Sequence, residues 1–162
     1  MNVGRMLSYR IFLVMLLGGI TAVVLGTPAN AQPLTGGGTG TITRLDVDIV
    51  RDAGGNVTEV RTVEGVVAGA INGTFVETVT GVVHKSGLVT FHGTMTFEGV
   101  VSGCGEGTFM VGVTGRAQAG VPTADASFRV IGQPADSLAI TGTGSLRQVG
   151  AQLSYDVRYT CS

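Results

Sequence analysis

From Thr39 onward the chain runs in short alternating stretches of Val, Thr, Ile and Phe, cut at intervals by Gly, Asn, Asp or Pro, and this pattern leaves few folds open. β-Branched residues lose rotamer freedom in a helix and fit well on a pleated surface. No segment keeps a 3.6-residue apolar period, and the Ala, Leu, Glu and Lys clusters that favour helix are missing. The pattern predicts strands at 39–50, 57–67, 71–83, 88–101, 104–114, 126–131, 138–147 and 152–161. Most connections are short: 52–56, 68–70, 85–87, 102–103, 133–136 and 149–150, with a longer one around Gly120-Val121-Pro122. Links this short force antiparallel neighbours. Such an all-β chain makes either an up-and-down barrel or a sandwich.

One hairpin can be read residue by residue. Lys85-Ser86-Gly87 suits a three-residue loop with glycine in the left-handed position. That turn sets Val83 against Val89, Gly81 against Phe91, Glu77 against Met95 and Phe75 against Phe97. The odd positions of both strands then share an apolar face. The even ones, among them Thr74, Thr78, Thr80, Thr90, His92, Thr94 and Thr96, share a polar face. Turn chemistry and face matching agree on one register.

The first 31 residues differ in character. Arg5 and Arg10 precede an apolar run over 11–25, and Ala29 and Ala31 give the small-x-small pattern of a signal-peptidase site. A core of about 15 residues is short for a bilayer, which needs nearer 20. The sequence therefore predicts a cleaved export signal at 1–31, a flexible glycine-rich leader at 32–38 and one β domain over 39–162. That domain would be secreted or periplasmic, with no stable membrane insertion after cleavage. Losing Arg5 and Arg10 leaves eight of the 10 Lys+Arg against 11 Asp+Glu, a net charge of −3. This balance gives no electrostatic footprint for nucleic acid.

Cys104 and Cys161 remain after cleavage, and an even count in an oxidising compartment favours a disulfide. Closing so long a loop is worth about 4 kcal/mol in the chain-entropy picture. In an up-and-down order the fifth strand begins, and the eighth ends, at the same end of the sheet. A bridge there is feasible and supports closure into a barrel.

The inner face would carry Phe75, Phe91, Met95, Phe97, Phe109, Tyr155 and Tyr159, which either line a ligand cavity or form ordinary core. Glu77 stands out because it shares this apolar face, between Phe75 and Val79 and opposite Met95. Either its carboxyl is desolvated in a pocket, where a raised pKa suits general acid–base work, or it sits near a rim or pairs with Arg61. His84 and His92 fall about four residue pairs apart, about 13 Å, so they make no metal site. No P-loop, GxSxG elbow or usable GxGxxG is present, and no cofactor is implied.

The run Gly65-Val66-Val67-Ala68-Gly69-Ala70-Ile71-Asn72-Gly73-Thr74-Phe75 is followed by Gly93-Thr94-Met95-Thr96-Phe97-Glu98-Gly99 and Ser102-Gly103-Cys104-Gly105-Glu106-Gly107-Thr108-Phe109. With Leu138-Ala139-Ile140-Thr141-Gly142-Thr143-Gly144-Ser145-Leu146 and Tyr159-Thr160-Cys161, these segments resemble prokaryotic secreted relatives of the allene oxide cyclase/dirigent barrel superfamily. The resemblance implies an all-β, calycin-like, eight-stranded antiparallel up-and-down β-barrel with an apolar cavity, often assembled into homo-oligomers. Plant members cyclise a fatty-acid epoxide or steer radical coupling, commonly with an interior carboxylate. On that pattern a small hydrophobic ligand would sit in the barrel, with Glu77 as the catalytic candidate. An enzyme of this kind would be a cofactor-independent cyclase or isomerase. The alternatives are a non-catalytic structural or adhesive domain and a lipocalin-like carrier. They separate on volume: a ligand chamber needs roughly a few hundred Å3, whereas a structural domain needs a solid interior.

Overall fold

The computed structural model describes residues 32–132 and 136–161; the export signal expected at 1–31, most of the connection expected at 133–136 and Ser162 of the expected domain lie outside them. The strands are β1 (Leu34–Ala53), β2 (Asn56–Gly69), β3 (Ile71–Val83), β4 (Leu88–Val101), β5 (Gly105–Gln118), β6 (Thr123–Val130), β7 (Ile140–Val149) and β8 (Gln152–Cys161). Each pairs antiparallel with the next, and β8 returns to β1 to close an eight-stranded barrel. The β3–β4 hairpin has the register read from its turn, including Glu77 against Met95 and Phe75 against Phe97. Gly87 takes the left-handed conformation at φ +85°, and the His84 N–H donates to Leu88 O at 2.8 Å.

Residues 34–38 correct the expectation of a flexible leader. They form the start of β1 and join the seam with β8, Gly36 opposite Val157 and Gly38 opposite Tyr155. The cause is close approach. A Cβ on Gly38 would collide with the Tyr155 hydroxyl and with the Ala68 carbonyl. A glycine run reads as mobile in a sequence because it has nothing to pack, yet here the missing side chains are what admit the neighbouring strand and ring.

The same device fills the barrel. Gly65 lies opposite Phe75, Gly115 opposite Phe91 and Gly144 opposite Phe128. In each case a Cβ would strike the facing ring. Inward glycines therefore make room for aromatic rings from the adjacent strand, and the rings occupy the lumen. Phe75, Val79, Val89, Phe97, Phe109, Val111, Val113, Leu153 and Val157 are buried. The Phe97 and Phe109 rings pack at 5.0 Å between centroids.

The two ends of the barrel are built differently. At one, Cys104 and Cys161 form a disulfide with Cα atoms 5.3 Å apart. It ties the residue before β5 to the last residue of β8. Tyr155 Oη accepts from Ile71 N at 2.9 Å and donates to Ile71 O at 3.0 Å, while Tyr159 donates to Ser102 O at 2.7 Å. These bonds pin the β2–β3 and β4–β5 links over the fully buried Val101. At the other end β8 starts at Gln152, opposite Thr41, and the Ile42 N–H donates to Ala151 O. Past that point β1 has β2 on one side only, so 43–53 form an edge arm laid along β2, which itself stays paired to β3; the β1–β2 ladder has irregularities at Ile42/Arg44 and Ile49/Arg51. Leu45, Val47 and Ile49, in register with Val63, Arg61 and Glu59, stay largely exposed. Asp46 and Asp48 alternate with them, the kind of charge that blunts an open strand edge.

Candidate functional site

Glu77 sits on the inner face of β3, with Val63 and Met95 as its cross-strand neighbours. It borders a cavity of about 30 Å3 shared with Ile42, Phe91, Gln148 and Leu153. Burial among these side chains pushes its pKa from an ordinary 4.5 up to about 7. Arg61 does not neutralise it. That guanidinium pairs instead with Glu59 Oε1, leaving Arg61 Nε without an acceptor among the described residues.

Glu59 is a functional-looking residue that the sequence did not expose. It is 7% exposed and lies opposite Gly81, where a side chain would press on its carboxylate. Its signal was present but hard to use. Val57, Glu59, Arg61 and Val63 alternate onto one face, and only the β2–β3 register shows that this face is the inner one.

The aromatic set falls together only in part. Phe75, Met95, Phe97, Phe109 and Tyr155 border a second cavity, of about 50 Å3. Phe91 borders the Glu77 cavity, and Tyr159 borders neither. Burial raises the Tyr155 pKa, and its hydroxyl is committed to the Ile71 backbone. Both cavities fall well below the few hundred Å3 of a ligand chamber. The expected chamber of a few hundred Å3 is therefore not formed, and the ring-over-glycine packing is the reason. Inside the barrel, Glu77 borders only the smaller cavity.

The large concavity is outside. A groove of about 1240 Å3 runs across the outer wall from β4 to β1. Two outward rows cross its floor. One reads Thr94, Gly112, Arg129, Thr143, Arg158, Thr35, and the other His92, Thr114, Ser127, Ser145, Asp156, Gly37. Thr114 and Ser127 share a hydroxyl hydrogen bond at 3.2 Å. Strand pairing brings Arg129 and Arg158, far apart in the sequence, into one row. His92 faces this groove, while His84 Nε2 lies 3.0 Å from Thr90 Oγ1, so the barrel keeps the histidines apart. No protein-family model matches the chain, and no curated protein matches it either.

Proposed function

We propose that this protein is an exported, non-catalytic binding domain that works through its outer wall, with the barrel interior serving as a structural core. The observation that carries this reading is volume: about 50 and 30 Å3 inside, about 1240 Å3 on the wall. Ligand sites occupy roughly 300–1,000 Å3. The Cys104–Cys161 bridge fits an oxidising compartment, which supports export. Kinship with the allene oxide cyclase/dirigent barrels belongs to the same proposal, supported by the Gly-Thr motifs and the up-and-down closure. A fluorescent fatty-acid titration of the 32–162 domain tests it. Neither wild type nor Glu77→Gln is expected to give saturable binding, and saturable binding by the wild type would overturn the outer-wall reading.

One observation favours a second reading, a small apolar ligand in the barrel with Glu77 as acid–base group. The Glu77 carboxyl is desolvated, and Phe91 and Met95 beside it are only half-buried, so they have room to shift. On that reading Glu77→Gln keeps its affinity for the fatty acid and loses turnover.

A further inference from the structure

We propose that Arg129 and Arg158, with the hydroxyls around Thr143, bind an acidic polysaccharide along the outer wall. This rests on the outer-wall reading and names its ligand class. In the barrel the two arginines occupy one outward row, on β6 and β8, with Thr143 of β7 between them. At about 4.8 Å per strand their backbones stand about 10 Å apart, within reach of a single anionic group or of neighbouring ones on a polymer. Both are exposed, and among the described residues neither makes an ion pair. Their guanidinium forks are thus open to carboxylate or sulfate oxygens, which they can hold in bidentate fashion.

The surroundings decide which polyanion. Gly112, next to Arg129 in the row, presents no side chain of its own, and the Ile131 side chain covers it, so the floor beside the cation is apolar. Both arginines also border a smaller depression of about 410 Å3 with Thr141 and Tyr159, so they stand on the ridge between two concavities. The groove offers Thr94, Ser127 and Ser145 hydroxyls, and the Asp156 carboxylate can accept from a sugar hydroxyl. Neither outward row contains Phe, Tyr or Trp, so the extended stacking platform of a single-strand binder is missing. Hydroxyl partners, spaced cations and one acceptor match a sugar acid polymer better than a nucleic acid.

The test is calorimetric titration of the 32–162 domain with polygalacturonate, dextran sulfate, uncharged dextran and single-stranded DNA. Binding to the two acidic polysaccharides and none to dextran is expected. The Arg129→Gln/Arg158→Gln double variant should lose about tenfold or more in affinity, as two charge-assisted contacts go. Arg44→Gln, on the β1 side, should lose little. These residues are exposed, so the variants fold, which the unchanged circular dichroism melt will verify. No acidic polysaccharide binding would overturn this assignment while leaving the outer-wall reading to the fatty-acid titration. An equal loss in Arg44→Gln, or DNA binding as tight as polygalacturonate binding, would overturn it too.

Discussion

The two ends of the barrel share a sheet and little else. At the bridged end every polar group that enters the core finds a partner: Tyr155 takes both the N–H and the carbonyl of Ile71, and Tyr159 takes Ser102. At the arm end Glu77 is half-buried among mostly apolar side chains with its proton affinity raised, and Leu45, Val47 and Ile49 lie open to water. Stability is concentrated at one end, and unsatisfied chemistry at the other. Residues that look alike in the sequence, such as inward aromatic and acidic groups, thus have opposite energetic roles depending on which end they occupy.

The sharpest way to break this contrast is to cut the bridge. Replacing Cys104 and Cys161 with alanine should lower unfolding free energy by about 4 kcal/mol, read from urea denaturation. A loss under about 1 kcal/mol would mean the bridged end is not the anchor.

Glu77 comes next. Its folded-state pKa lies above its unfolded one, so its ionisation opposes folding. The Glu77 contribution, read as wild type minus Glu77→Gln, should be most favourable below pH 4.5 and fall as pH climbs from 4.5 to about 7. At about 1.4 kcal/mol per tenfold change in proton affinity, the full effect is about 3 kcal/mol. Glu77→Gln should recover most of this at pH 8 and none at pH 4. Urea titrations of both proteins across that range decide it: a contribution that rises with pH would show the carboxyl to be solvated or paired.

Tyr155→Phe should cost about 1–3 kcal/mol, because the Ile71 N–H is left buried without a partner. The smallest effect belongs to the arm. Ile49→Thr, at a residue 70% exposed, should stay within about 0.5 kcal/mol of wild type in thermal melts. A larger loss would mean that the arm's apolar side is covered in solution.

Much of the fold was legible because local signals agreed. Lys85-Ser86-Gly87 fixed one register, and every paired residue predicted from it is in place. The bridge followed from the two cysteines of an exported chain, and strand parity placed both at one end of the barrel. Gly36-Gly37-Gly38 misled because flexibility and close approach leave the same mark in a sequence, and only the Tyr155 ring distinguishes them. The site was less legible. Whether the barrel is hollow depends on which glycine faces which ring, Gly65 with Phe75 or Gly144 with Phe128, and that needs the register of every strand. The row that joins Arg129 to Arg158 likewise exists only through β7, and the turns at 133–136 and 149–150 marked its links to β6 and β8 without giving their register.

The seam between β1 and β8 has a kinetic consequence. Leu34 pairs with Tyr159 and Thr41 with Gln152, so the ladder that shuts the barrel joins the first strand to the eighth. Hairpins along the chain can form as their residues appear, but 34–41 must wait for 152–159. Contacts of such wide sequence separation are entropically late and slow to form. During that wait the open edge of β1 is a run of Gly36, Gly37, Gly38 and Gly40, which offers an intruding strand almost no side chain to grip. The glycines that let the barrel close at the end of folding thus also make its earliest edge a poor template for aggregation.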